Sequence, residues 1–169
     1  MIEDIFLKYS ADKLEQLSGR IQDCLGRLTY DQIWLRNSDN ANSVGNLVLH
    51  LCGNVRQWIG YGVGGKPDFR DRASEFDARG GLQPAELSQR LQTTISDAIG
   101  IIRDIAPERL PEARTIQKYD VTVMEAILHV VEHFSQHTGQ IIFATKLLTG
   151  QDLGYYKHLG QPAHFETTP

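Results

Sequence analysis

The sequence predicts an all-α fold, a four-helix bundle. Three observations predict it: four long stretches carry apolar residues at helical spacing, helix-start patterns precede them, and no credible sheet can be assembled. The chain has 169 residues and is 41% hydrophobic, enough for one domain, residues 1–169, around a real core.

Residues 2–28 form the first predicted helix, with Ile2, Ile5, Phe6, Tyr9, Leu14, Leu17, Ile21, Leu25 and Leu28 near a 3.6 period. Thr29 and Gln32 make a capping box that opens a short helical turn carrying Trp34. Ser43 or Asn42 caps a second helix over residues 44–59, with Val44, Leu47, Val48, Leu51, Val55, Trp58 and Ile59 as its stripe. A long loop follows, charged across residues 68–76 and closed by Gly80-Gly81. Connections of that length usually wall a site or act as lids. Pro84 suits the first turn of a third helix, residues 84–105. Residues 115–121 have strand character without a visible partner and read as extended loop. Thr122 and Glu125 open the last helix, which runs to Leu148 and stops at Gly150. An irregular tail, residues 151–169, is expected on the surface with His158 and His164.

Charge and composition exclude several classes. Net charge is −4 and no basic run stands out, which argues against nucleic acid as a partner. No apolar run approaches the ~18 residues that span a bilayer, so no membrane partner is expected. The acidic start, Met1 to Ile5, lacks the basic flank of a signal peptide. Cys24 and Cys52 suggest no disulfide framework and read as reduced thiols of a cytoplasmic protein.

The chemistry concentrates in the last helix. His129, His133 and His137 each stand four residues from the next, about one helical turn. Two neutral imidazoles at that spacing can close on one metal ion. Measured from the helix's apolar stripe (Ile127, Val130, Phe134, Ile141, Thr145, Leu148), His137 lies within ~50°, His133 within ~90° and His129 near ~130°. His133 and His137 therefore point into the bundle, and His129 drifts towards solvent. His50, on the flank of the second helix's stripe, is the third nitrogen. Three neutral imidazoles leave coordination positions open, the pattern of a catalytic site. The set suits zinc or nickel, and also cobalt or iron(II). Asn54 and Gln140 are candidates for supporting the ligands. Glu132 reads as a solvated charge, and the Asp71, Arg72 and Glu75 group as a surface salt-bridge cluster worth little.

Ser43-Val44-Gly45-Asn46-Leu47-Val48-Leu49-His50-Leu51-Cys52-Gly53-Asn54 and His133-Phe134-Ser135-Gln136-His137-Thr138-Gly139-Gln140-Ile141 resemble the DinB/YfiT-like superfamily of metal-binding four-helix bundles. The similarity spans nearly the whole chain. The loop Asp71-Arg72-Ala73-Ser74-Glu75-Phe76 looks like that of one branch without a settled activity. The resemblance implies a divalent metal held by His50, His133 and His137, and frequent homodimers. Relatives of that superfamily include S-transferases and an isomerase that use low-molecular-weight thiols such as bacillithiol or mycothiol.

The expected function is a divalent-metal-dependent enzyme, a thiol-dependent S-transferase acting on a small electrophile. A hydrolase on the same ligands is the alternative, and needs a carboxylate base beside the metal's open side. A non-catalytic metal-binding or dimerisation module is the third reading, and needs a closed site. A homodimer is expected because Met124, Leu128, Phe143 and Leu147 form a second apolar patch on the last helix.

Overall fold

The computed structural model describes residues 1–160, with His158 and Gly160 by their backbone alone; Pro162 and His164 lie outside the described residues. Helix α1 (Ile2–Arg27) sets one wall of the core. Leu7, Ala11, Leu14, Ile21 and Leu25 recur at steps of three, four and seven, so they share one stripe, and all are buried. Ile2, Ile5 and Tyr9, expected in that stripe, are exposed. At ~100° per residue they fall on the opposite side of the helix from Leu7 and Ala11.

Helix α2 (Tyr30–Trp34) has the expected capping box, the Gln32 amide donating to Thr29 Oγ1. Helix α3 (Val44–Val55) is capped by Ser43, which accepts from the Asn46 amide at 3.1 Å. The predicted helix over residues 44–59 departs from its plan after Val55. Residues Arg56–Val63 are π-helical, with the Gly64 amide reaching back five residues to the Ile59 carbonyl at 2.8 Å. Such wide turns re-aim side chains and recur at functional sites.

The long connection is not simply loop. It contains helix α4 (Arg72–Asp77), whose start is capped by Asp71. Asn46, fully buried, pins this helix: its side-chain amide donates to the carbonyls of Glu75 and Ala78, both at 2.9 Å. Helix α5 (Pro84–Arg103) begins with Pro84 in its first turn and a Gln83–Glu86 capping box.

Residues 115–121 also correct the sequence reading. Strands β1 (Ala113–Ile116) and β2 (Tyr119–Thr122) pair antiparallel, Ile116 opposite Tyr119. The partner strand was the next run of residues, joined by a two-residue turn without Gly or Asn. Gln117 (φ 51°) and Lys118 (φ 70°) occupy the left-handed region instead, at a typical cost of ~1–3 kcal/mol each. Ile116, fully buried, anchors the hairpin on Gly62 of the π-helical segment, where any β-carbon would strike it.

Helix α6 (Val123–Thr149) starts at the Thr122–Glu125 box and ends at Gly150, left-handed at φ 66°. α1 packs on α5 and α6, and α3 packs on the same two helices, which closes the bundle. Phe134, Leu14, Ile21, Leu51, Leu91 and Ile127 fill its centre. Each such side chain contributes roughly 1.5–3 kcal/mol through its burial. The described tail returns to α1, where the Tyr155 hydroxyl donates to Asp23 at 2.9 Å. Cys24 and Cys52 are free and buried. Among the described residues, no helix is long and apolar enough to cross a membrane.

Candidate metal centre

Helix periodicity and helix packing together bring three imidazoles to one point. His133 and His137 stand a turn apart on α6, and their Nε2 atoms are 3.1 Å apart. His50, buried on α3, places its Nε2 3.1 Å from that of His133. One ligand atom from each of the three lies within 4.8 Å of the others, close enough to hold a metal ion. These are the three residues that the sequence reading chose.

The far side of each outer ring is held. His50 Nδ1 is 3.0 Å from Glu75 Oε2. An ionised carboxylate can only accept, so Nδ1 donates and the Nε2 lone pair of His50 faces the centre. His137 Nδ1 donates to Gln140 Oε1 at 2.7 Å, with the same consequence. His133 Nδ1 is buried without a hydrogen-bond partner. With its proton on Nδ1, His133 wastes a buried donor and three lone pairs converge. With the proton on Nε2, only one neighbouring lone pair is satisfied well. A divalent cation resolves the convergence, because it accepts all three lone pairs at once and fixes the proton of His133 on Nδ1. The residues present thus fit a metal.

The protonation states agree with the geometry. Burial lowers the pKa of His133 to about 3, helped by the neighbouring His137 and His50. Burial also lowers His137, against the raising effect of its bond to Gln140. Neutral imidazoles are the ligating form.

Glu75 overturns the surface-cluster reading of the charged loop. It is only 6% exposed. Arg70, with its side chain buried, forks onto the carboxylate, Nε to Oε1 at 2.8 Å and Nη2 to Oε2 at 2.9 Å. Burial alone would raise the Glu75 pKa, but the bonds from Arg70 and His50 outweigh it and hold the carboxyl below its ordinary value. Gly53, three residues after His50, makes room: a β-carbon there would run into the Glu75 carboxylate and meet Arg70 Nε at 3.0 Å. That glycine inside a helix was the one signal of Glu75 available in the sequence.

A cleft of about 440 Å³ opens beside the histidines, lined by His50 and His133 and walled by Asn54, Trp58, Arg72 and the hairpin. His129 belongs to this wall, contrary to the expectation that it faces solvent. It is half-buried, its ring centroid 4.1 Å from that of Trp58 and 5.6 Å from that of His133. Burial lowers its pKa, with Glu132 acting the other way. Glu132 itself is exposed, as expected. A second cavity, about 470 Å³, lies behind the ligands between α3, α5 and the connection. Arg70 lines both cavities, and Glu75 lines the second.

A helical bundle with three convergent imidazoles inside it is DinB-like in fold. Two solved structures carry that likeness. One is a conserved protein from Enterococcus faecalis (TM-score 0.73, 15% identity, 85% of this chain and 97% of that one). The other is the DinB-like protein YjoA from Bacillus subtilis (TM-score 0.67, 16% identity, 88% of this chain and 97% of that one). No curated protein matches the sequence. The chain belongs to the family described as "Protein of unknown function (DUF1572)", whose model matches residues 2–161.

Proposed function

We propose that the protein is a divalent-metal-dependent enzyme, a thiol S-transferase acting on a small electrophile, with His50, His133 and His137 as metal ligands. The observation that carries this reading is a cluster of three convergent histidines, two of which, His50 and His133, line an open cleft. When bound, zinc or nickel would supply Lewis acidity that lowers the pKa of a thiol's sulfur. Glu75 and Gln140 fix the tautomers of His50 and His137, so their lone pairs stay aimed. His129 stands in the cleft to take the thiol proton on its ring. The sulfur then forms its bond to the electrophilic carbon as the leaving group departs with the bonding pair. Hydrolysis is less well supported, because no carboxylate base is among the described residues of the cleft wall.

The test has two readings. Purified protein is expected to carry about one divalent metal per chain and to consume an alkylating electrophile only when a low-molecular-weight thiol is added. Protein that stays metal-free after reconstitution sinks the site. Turnover of esters or amides without thiol shifts the assignment to the hydrolase.

The homodimer remains a proposal, supported by Met124, Leu128, Phe143 and Leu147, which are 45–69% exposed on one helix. Apolar surface of that kind usually acquires cover. Light scattering is expected to give twice the chain mass, and a monomer would remove the proposal.

A further inference from the structure

The cleft that opens on the histidines is cationic by construction. Among its described lining residues there is no carboxylate. The Arg70 charge is neutralised by Glu75, but Arg72 has no carboxylate partner among the described residues; its guanidinium lies over the Phe76 ring, 4.9 Å from the centroid. Two further polar groups on the wall are without partners. Trp58 is 3% exposed, and its indole N–H, buried, has no acceptor. Asn54 is 4% exposed, and its side-chain oxygen has no donor; the amide can present either end. Leaving such groups unmatched typically costs ~1–3 kcal/mol each.

The surrounding backbone is also arranged at some expense. The π-helical segment carries Trp58, and the left-handed turn of the hairpin carries Gln117, another residue of the cleft wall. Gln117 is tied to Gln57 of the same π-helical segment. Two sparsely populated backbone conformations therefore meet at one rim. Strain of this kind persists where surrounding contacts hold it, and it clusters at ligand clamps.

We infer that this cleft takes a substrate bearing an oxyanion, a carboxylate or a phosphate, held by the Arg72 guanidinium, the Trp58 indole N–H and the Asn54 and Gln117 amides. The inference rests on the transferase reading for its substrate, but not for the binding itself. Arg supplies a planar pair of donors that matches either oxyanion. Trp58 adds a neutral donor that keeps its full strength in a dry wall. Asn54 stands one turn after His50 and one turn before Trp58, so the anion group would sit along the same helix face as the metal ligand.

Calorimetric binding of phenylacetate and phenyl phosphate, with uncharged phenylacetamide as control, tests it on full-length protein with and without zinc. At least one anion is expected to bind in both forms, and phenylacetamide is not. Arg72→Gln is expected to weaken binding about tenfold or more, as loss of a charged hydrogen bond does. Trp58→Phe keeps the ring, removes the N–H and is expected to weaken it several-fold. The stronger of the two anions identifies the group. Binding of phenylacetamide as tight as the anions, or wild-type affinity in folded Arg72→Gln, overturns the inference. So does failure of both anions to bind. Anion binding without thiol transfer would instead leave this subsite standing and remove the transferase reading.

Discussion

His133→Ala is expected to abolish retention of divalent metal while leaving the bundle folded. His133 is the middle ligand, its Nε2 3.1 Å from that of both His50 and His137. Without it the remaining pair is not linked by any contact to a third nitrogen. The loss should exceed the ~10–100-fold typical of a supporting residue. The metal-free variant should be at least as stable as metal-free wild type, because the substitution removes an imidazole with a buried, unpartnered Nδ1. Metal analysis and thermal unfolding check the two halves. Full metal content in the variant would refute the ligand assignment.

Acid should destabilise the metal-free wild type. The folded pKa of His133, about 3, lies below the ordinary ~6.5. Between those values the unfolded chain binds a proton that the folded chain refuses. Stability therefore rises with pH across that window and is lost as pH falls through it. Thermal unfolding of the metal-free protein as a function of pH checks the sign, and a midpoint that does not fall as pH drops through that window would refute it.

The second large effect is expected for Glu75→Gln. The amide oxygen can still accept from His50 Nδ1, but the charge facing Arg70 disappears. Arg70, whose side chain is 3% exposed, is left buried and uncompensated. Breaking a buried pair from one side typically costs ~3–5 kcal/mol. Metal affinity should also fall, by ~10–100-fold, as His50 loses its strongest orienting partner. The double variant Arg70→Met with Glu75→Gln separates the two effects. It should regain most of the stability, since no charge is stranded, and none of the metal affinity. Denaturant unfolding and metal competition measure both. A single variant as stable as wild type would show that the pair is not desolvated.

The three histidines were legible because their signal is periodic. Spacing of four along α6, and a wheel centred on Phe134 and Ile141, locate side chains on any regular helix. His129 was misplaced for the same reason. The wheel measures direction from the apolar core and knows nothing of Trp58, which a π-helical turn brings beside it. That turn changes the angle per residue, which no apolar pattern reveals. Glu75 was hidden more deeply. It comes from an aperiodic connection, and its position depends on Asn46 donating to backbone carbonyls 29 and 32 residues away. The hairpin escaped because its turn, Gln117-Lys118, lacks the residues that normally announce one. The helix ends were readable at Thr29, Ser43, Thr122 and Gly150, where local hydrogen bonds alone decide.

The Arg70–Glu75 pair has one more property. It is a partition: the cleft touches Arg70 from one side, and the second cavity touches both residues from the other. Two compartments that share a wall are thermodynamically linked wherever an occupant of one alters that wall. An occupant of the rear cavity that tightens or loosens the grip on His50 changes metal affinity by some factor, and the metal must change that occupant's affinity by the same factor.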